Sequence, residues 1–178
     1  MRRFGVIVAL GALLGMFAVV LTASPALAGR GHKWELVQTG PFTVDKSFCG
    51  FTIGVTFPGI SKEYIKVLKA PDGPDGTEIV LLTGAIKVTY TNLSTGKAIS
   101  LIEAGPGKVL NHADGSATAA IKGINGPIIF SPADAQRFGL PTVSVTAGAL
   151  TTSFAADGTI TSVTLHGHVR LDLCTALS

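Results

Sequence analysis

From Trp34 onward the chain alternates apolar and polar side chains with a period of two, the spacing of a strand that buries one face. Phe51, Ile53, Val55 and Phe57 fall on one side, with Thr52, Gly54 and Thr56 on the other. Ile86, Val88 and Tyr90 alternate with Lys87, Thr89 and Thr91, and Val143 and Val145 with Ser144 and Thr146. In the last stretch Val163, Leu165, Val169, Leu171 and Leu173 oppose Ser162, Thr164, His166, His168, Arg170 and Asp172. The abundance of Val, Ile and Thr suits a pleated, half-buried surface.

Turn chemistry separates these runs. Pro74-Asp75-Gly76, Asn92 through Gly96, Asp114-Gly115 and Asp157-Gly158 each supply residues that tolerate the positive φ of tight hairpins. Gly105-Pro106-Gly107 reads as a bend or bulge between strands, since it lacks the Lys-Ser/Thr sequel of a phosphate loop. One short helix is predicted over 132–138: Ser131 caps it, Pro132 opens it, Asp134 completes a capping box and Gly139 ends it. The pattern Ala104-Gly105, Ala113-Asp114-Gly115-Ser116 and Thr118 returns as Ala147-Gly148, Ala156-Asp157-Gly158-Thr159 and Thr161, so two hairpins should occupy equivalent places. The expectation is an all-β fold, an antiparallel meander of hairpins closing into a β-barrel, with a two-sheet β-sandwich as the alternative.

The front of the chain follows another rule. Arg2 and Arg3 precede an uncharged stretch from Phe4 to Ala23, and a small-residue site follows at Ala26-Leu27-Ala28. This is the three-part layout of a secretory signal. It predicts a signal peptide at 1–28 cleaved after Ala28 and a single exported domain over 29–178. Residues 29–33 form a lead-in. An uncleaved membrane anchor is the rival reading, weakened by the glycines in the apolar run and by Pro25 before the cleavage site.

Losing Arg2 and Arg3 from the 14 basic residues leaves 12 against 11 acids. So neutral a domain gives no electrostatic case for nucleic acid or for an anionic membrane. The two cysteines, Cys49 and Cys174, both fall in the exported part, where an even count favours a disulfide between them.

Candidate chemistry is sparse. His166-x-His168-x-Arg170-x-Asp172 puts its side chains on one strand face about 7 Å apart in succession. That face is either a solvated outer surface or the lining of a polar ligand cavity, in which Arg170 would receive a carboxylate or phosphate as a fork. Two histidines fall short of the three or four ligands of a zinc site, so neither a metal nor another cofactor is expected. No G-x-S-x-G elbow is present, and no catalytic set is assigned. Glu35, Glu63, Glu78 and Glu103 occupy polar or exposed-looking positions with nothing to mark two as partners. Trp34 beside Leu36 reads as a strand-end core anchor, or else as a sugar- or lipid-binding surface. Asn92-Leu93-Ser94 is a glycosylation sequon by pattern, placed in a hairpin turn.

The run Asn92-Leu93-Ser94-Thr95-Gly96-Lys97, then Gly105-Pro106-Gly107, Asp114-Gly115-Ser116 and the closing Asp172-Leu173-Cys174 resembles a group of small secreted actinobacterial proteins of unknown function. The resemblance implies secretion, an all-β domain and a Cys49 to Cys174 bridge, and it carries no active site. The function expected from these readings is a secreted, non-enzymatic barrel that binds a small apolar ligand or a component of the cell envelope through His166, His168 and Arg170. A barrel enzyme of cyclase or isomerase type using the same three residues, and a purely structural protein, are the alternatives.

Overall fold

The computed structural model describes residues 33–59, 62–68 and 76–178. The expected signal peptide at 1–28, with its expected cleavage after Ala28, and Pro74-Asp75 of the first predicted turn lie outside the described residues.

The strands are β1 (Glu35–Leu36), β2 (Phe42–Val44), β3 (Ile53–Thr56), β4 (Lys62–Leu68), β5 (Glu78–Asn92), β6 (Ala98–Ala104), β7 (Gly107–Asn111), β8 (Ala117–Ile129), β9 (Val143–Phe154) and β10 (Ile160–Asp172). Three short helices join them: α1 (Lys46–Cys49), α2 (Pro132–Phe138) and α3 (Leu173–Leu177). All pairings are antiparallel. The long β5 organises the sheet, taking β4 and β3 along one edge and β7 and β6 along the other. The pairings β5–β6, β6–β8, β8–β7 and β7–β5 close a four-stranded barrel, and the remaining strands lie outside it. The fold is therefore the expected barrel, and Gly105-Pro106 is the expected bend, separating β6 from β7.

A band of glycines crosses the sheet. Gly105 donates its N–H to the Gly84 carbonyl at 3.2 Å, Gly123 is paired with Gly148, and Gly148 with Gly167. The strands approach so closely here that a Cβ on Gly123 would stand 2.1 Å from the Ala104 carbonyl oxygen, and one on Gly148 2.4 Å from that of His166. Both also have positive φ, +97° and +121°. Such a band is how a coiled sheet turns a barrel corner. The repeat seen in the sequence has this origin: Gly105 and Gly148 both belong to the band, and the turns at Gly115 and Gly158 lie at one end of the sheet, with Gly115 facing Ala156.

Two hydrophobic cores flank the band. The first gathers Val80, Leu82, Ile121, Phe130, Leu150 and Phe154, closed over by Ala135 and Phe138 of α2. The helix is as predicted, with the Ser131 hydroxyl accepting from the Asp134 N–H at 3.1 Å and Gly139 left-handed at its end. The second core holds Ile53, Val55, Ile86, Val88, Val143 and Val145 with Leu173 and Leu177 of α3. The Cys49–Cys174 disulfide staples α1 to α3 across this core, Cα to Cα 5.0 Å.

Three readings are corrected. Leu173 does not continue the last strand; Asp172 caps α3 instead, its Oδ1 accepting from the N–H groups of Cys174 and Thr175 at 3.0 and 3.3 Å. Ser144 and Thr146 are buried like Val143 and Val145, because β9 is covered on both faces at this end. Trp34 is not a core anchor: it is 46% exposed, as is much of Leu36 beside it.

Candidate functional site

The glycine band is also where the packing opens. A cavity of about 30 Å³, room for about two water-sized groups, is lined by glycines of the band (Gly84 and Gly105) and by apolar side chains including Leu82, Ile121 and Ile128. Tyr64 lines it too, from the neighbouring strand β4, as does Val37 from the segment after β1. The polar residues Glu63, Thr83 and Asn125 join this apolar wall.

Glu63 stands on β4 directly across from Gly84. The segment after β1 folds over it, with Val37 donating its N–H to the Glu63 carbonyl at 2.9 Å and the Thr39 hydroxyl donating to Oε2 at 3.0 Å. Asn125 sits where β8 slips register against β9, just before the cis Gly126–Pro127 bond. It is 7% exposed, and its Nδ2 has no hydrogen-bond partner among the described residues. A buried donor so placed costs about 1–3 kcal/mol unless something accepts from it.

Behind the wall lies a carboxyl group removed from water. Glu103 on β6 is fully buried; the Tyr90 hydroxyl donates to its Oε1 and the Gly126 N–H to its Oε2, the latter at 3.0 Å. Burial pushes its pKa up to about 8, against the two hydrogen bonds, which favour the charged form; the negative charge of nearby Glu63 adds a smaller push upward. Burial also raises the Tyr90 phenol well above its ordinary value, with Glu103 adding to the effect. Gly126 has no room to be larger, since a Cβ would meet Val145 at 2.8 Å and both Glu103 Oε1 and the Tyr90 hydroxyl at 3.1 Å.

The alternation pattern puts all four glutamates at polar or exposed positions without a partner, and this is corrected. Glu63 and Glu103 flank β5, the charge of Glu63 bears on Glu103, and Glu103 is inside while its neighbour Ile102 is 62% exposed. The signal was present in the register: Glu103 shares a strand face with Leu101 and Ile99, paired through β5 with Ile86, Val88 and Tyr90.

His166, His168 and Arg170 are all exposed on β10. Across the ladder His166 meets Ala149 and His168 meets Ala147, Arg170 falls at the register shift between Val169 and Leu171, and none of the three lines the cavity. Asn92 of the sequon is 2% exposed and fully engaged: Nδ2 donates to the Leu177 carbonyl at 3.0 Å and Oδ1 accepts from the Ser94 N–H at 2.9 Å.

No protein-family model, curated protein or solved structure matches the chain. The disulfide fits a compartment outside the reducing cytoplasm. Among the described residues no helix is long and apolar enough to cross a membrane, and no three His, Cys, Asp or Glu side chains converge as a metal set.

Proposed function

We propose that this is an exported, non-enzymatic β-barrel that holds a small, largely apolar molecule in the cavity at the glycine band. The observation that carries the reading is the cavity's make-up: apolar walls with a few polar residues, Glu63, Thr83 and a buried Asn125 whose amide donor has no partner among the described residues. Apolar walls with a few placed polar groups are the usual composition of a ligand site. Export is supported by the charged, apolar and small-residue layout of residues 1–28 and by the disulfide.

Native mass spectrometry of the protein purified from its secreting host tests both parts. The expected result is a chain beginning at Gly29 with a reproducible extra mass that is lost on denaturation, and that is absent from a variant whose cavity is filled by Gly107→Leu. A bare mass in native spray, unchanged by supplying culture lipids, would overturn the binding reading.

The two inward carboxyls favour a second reading, acid–base catalysis on the bound molecule, because Glu103 exchanges its proton near neutral pH. This reading requires that a molecule held by the protein be recovered chemically changed, and that Glu63→Gln stop the change while leaving the molecule bound.

A further inference from the structure

The outer face of the sheet holds a charge pattern that the near-neutral total conceals, and from it we infer that the protein adsorbs to the surface of an anionic lipid bilayer. This face is not the cavity's, and what binds it is independent of whatever the cavity holds.

Register decides which side chains share the face, because residues paired across antiparallel strands point the same way and alternate along each strand. Lys62, Tyr64 and Lys66 of β4 pair with Ala85, Thr83 and Leu81 of β5. Leu81 pairs in turn with Lys108 of β7, and Lys108 with Ala120 of β8. Lys87 and Lys122 occupy the same set of alternate positions on β5 and β8. The opposite side of these strands carries the first core, with Val80, Leu82, Val109 and Ile121. The lysines therefore point outward, all of them exposed except Lys66, which is half-buried.

Among the described residues no Asp or Glu shares that face. Glu35, Glu63, Glu78 and Glu103 take the other positions of their strands. Asp45 and Asp172 cap α1 and α3, Asp134 opens α2, and Asp114 and Asp157 make turns. The acids are thus used up in caps, turns and the inner face, and the cations are left together outside. Lys66 and Lys108 stand two strands apart, about 10 Å between backbones. That is about one Debye length at 0.1 M salt, so their potentials add.

The company of these lysines selects the partner. Leu36 pairs with Tyr64, and Ile102 with Lys87, so all three side chains lie on the same face; they are 49%, 38% and 62% exposed. Trp34, two residues before Leu36, is 46% exposed. Lysines interspersed with Trp, Tyr and aliphatic side chains match the headgroup layer of a bilayer, where aromatics sit at the boundary and lysine reaches out to the phosphates. A soluble polyanion would satisfy the lysines and leave Leu36, Tyr64 and Ile102 in water. A second copy of the chain would bring the same positive charges face to face.

The chain's single tryptophan stands beside this face and reports contact. The disulfide-bonded protein is mixed with vesicles of phosphatidylcholine alone or of phosphatidylcholine and phosphatidylglycerol in equal parts, following cosedimentation and Trp34 emission. Binding should be at least about thirtyfold tighter to the charged vesicles, with emission moved to the blue. Raising the salt to about 0.5 M should abolish most of it. Lys66→Gln with Lys108→Gln should weaken binding about thirtyfold, at about fivefold per cation. Lys46→Gln with Lys97→Gln removes the same charge from α1 and from the connection between β5 and β6, and should change binding less than about threefold. Leu36→Ser with Tyr64→Ser should weaken vesicle binding about tenfold and leave heparin binding unaltered.

Equal binding to the two kinds of vesicle, or equal losses in the two lysine pairs, would overturn the inference. Heparin binding tighter than vesicle binding, with no shift of Trp34, would overturn it too and hand the face to a soluble polyanion. Circular dichroism checks the fold of each variant, and the comparison of the two vesicles on the unaltered protein decides the matter if a variant fails to fold.

Discussion

Tyr90 donates its phenolic hydrogen to the carboxyl group of Glu103 at a point where neither residue reaches water. The two side chains come from adjacent strands β5 and β6, and burial raises the pKa of both, so that Glu103 keeps a proton where a free carboxyl would lose it.

Stability should therefore fall as pH rises across neutrality. Glu103 has a pKa of about 8 in the fold against 4.5 as a free side chain, so between those values the native state holds more protons than the unfolded chain. By linkage, stability from this group is complete below about pH 4.5 and is lost as pH rises toward 8, by up to about 5 kcal/mol over the full shift. Urea midpoints at pH 5, 6, 7, 8 and 9 (~1-unit steps) measure it. Glu103→Gln should remove most of this slope, and parallel curves for the two proteins would refute the assignment.

The glycine band separates backbone strain from steric exclusion. Gly123→Ala places a methyl 2.1 Å from a carbonyl oxygen at φ +97°, and should cost more than about 3 kcal/mol or prevent folding. Gly96→Ala, at φ +75° with open space around it, should cost only about 1–2 kcal/mol. Equal thermal shifts would mean that the close approach of the strands is unimportant.

The disulfide joins residues 125 apart. In the chain-entropy model, closing such a loop stabilises by about 5 kcal/mol. Replacing Cys49 and Cys174 together with alanine should lower the unfolding free energy by an amount of that order, measured in urea against the oxidised protein. An unchanged midpoint would show that the unfolded chain gains no freedom when the bridge is cut.

Asn92 should resist replacement even by its closest relative. In Asn92→Asp the group facing the Leu177 carbonyl turns from donor to acceptor inside a buried site, a loss of about 1–3 kcal/mol. A thermal melt within a degree or so of wild type, ~0.2 kcal/mol, would contradict this.

Periodicity alone makes the strand faces at Ile53 and Val55, and at Ile86, Val88 and Tyr90, legible in the sequence, and local capping chemistry locates α2 to the residue. It fails where the outcome depends on what lies opposite. A glutamate in an alternating strand is read as outward, yet Glu103 is inward because its face is continuous with Leu101 and because Tyr90 and Gly126 supply two donors there. Alternation assigns Ser144 and Thr146 to solvent because it reports two faces and not whether a second layer covers the polar one. The cavity leaves no local signal at all, since Glu63, Asn125 and Gly105 lie far apart in sequence and meet only because the sheet bends at its glycines.

The bridge between Cys49 and Cys174 has a mechanical meaning as well. Tension applied to the chain on either side of it passes from one sulfur to the other, so β3 through β10 lie off the load path. Pulling could strip β1 and β2, and with them Val37 from the cavity, and straighten the last turn of α3, but the barrel would carry no force. A protein tethered in a stretched or sheared envelope would keep its barrel intact by that shunt alone.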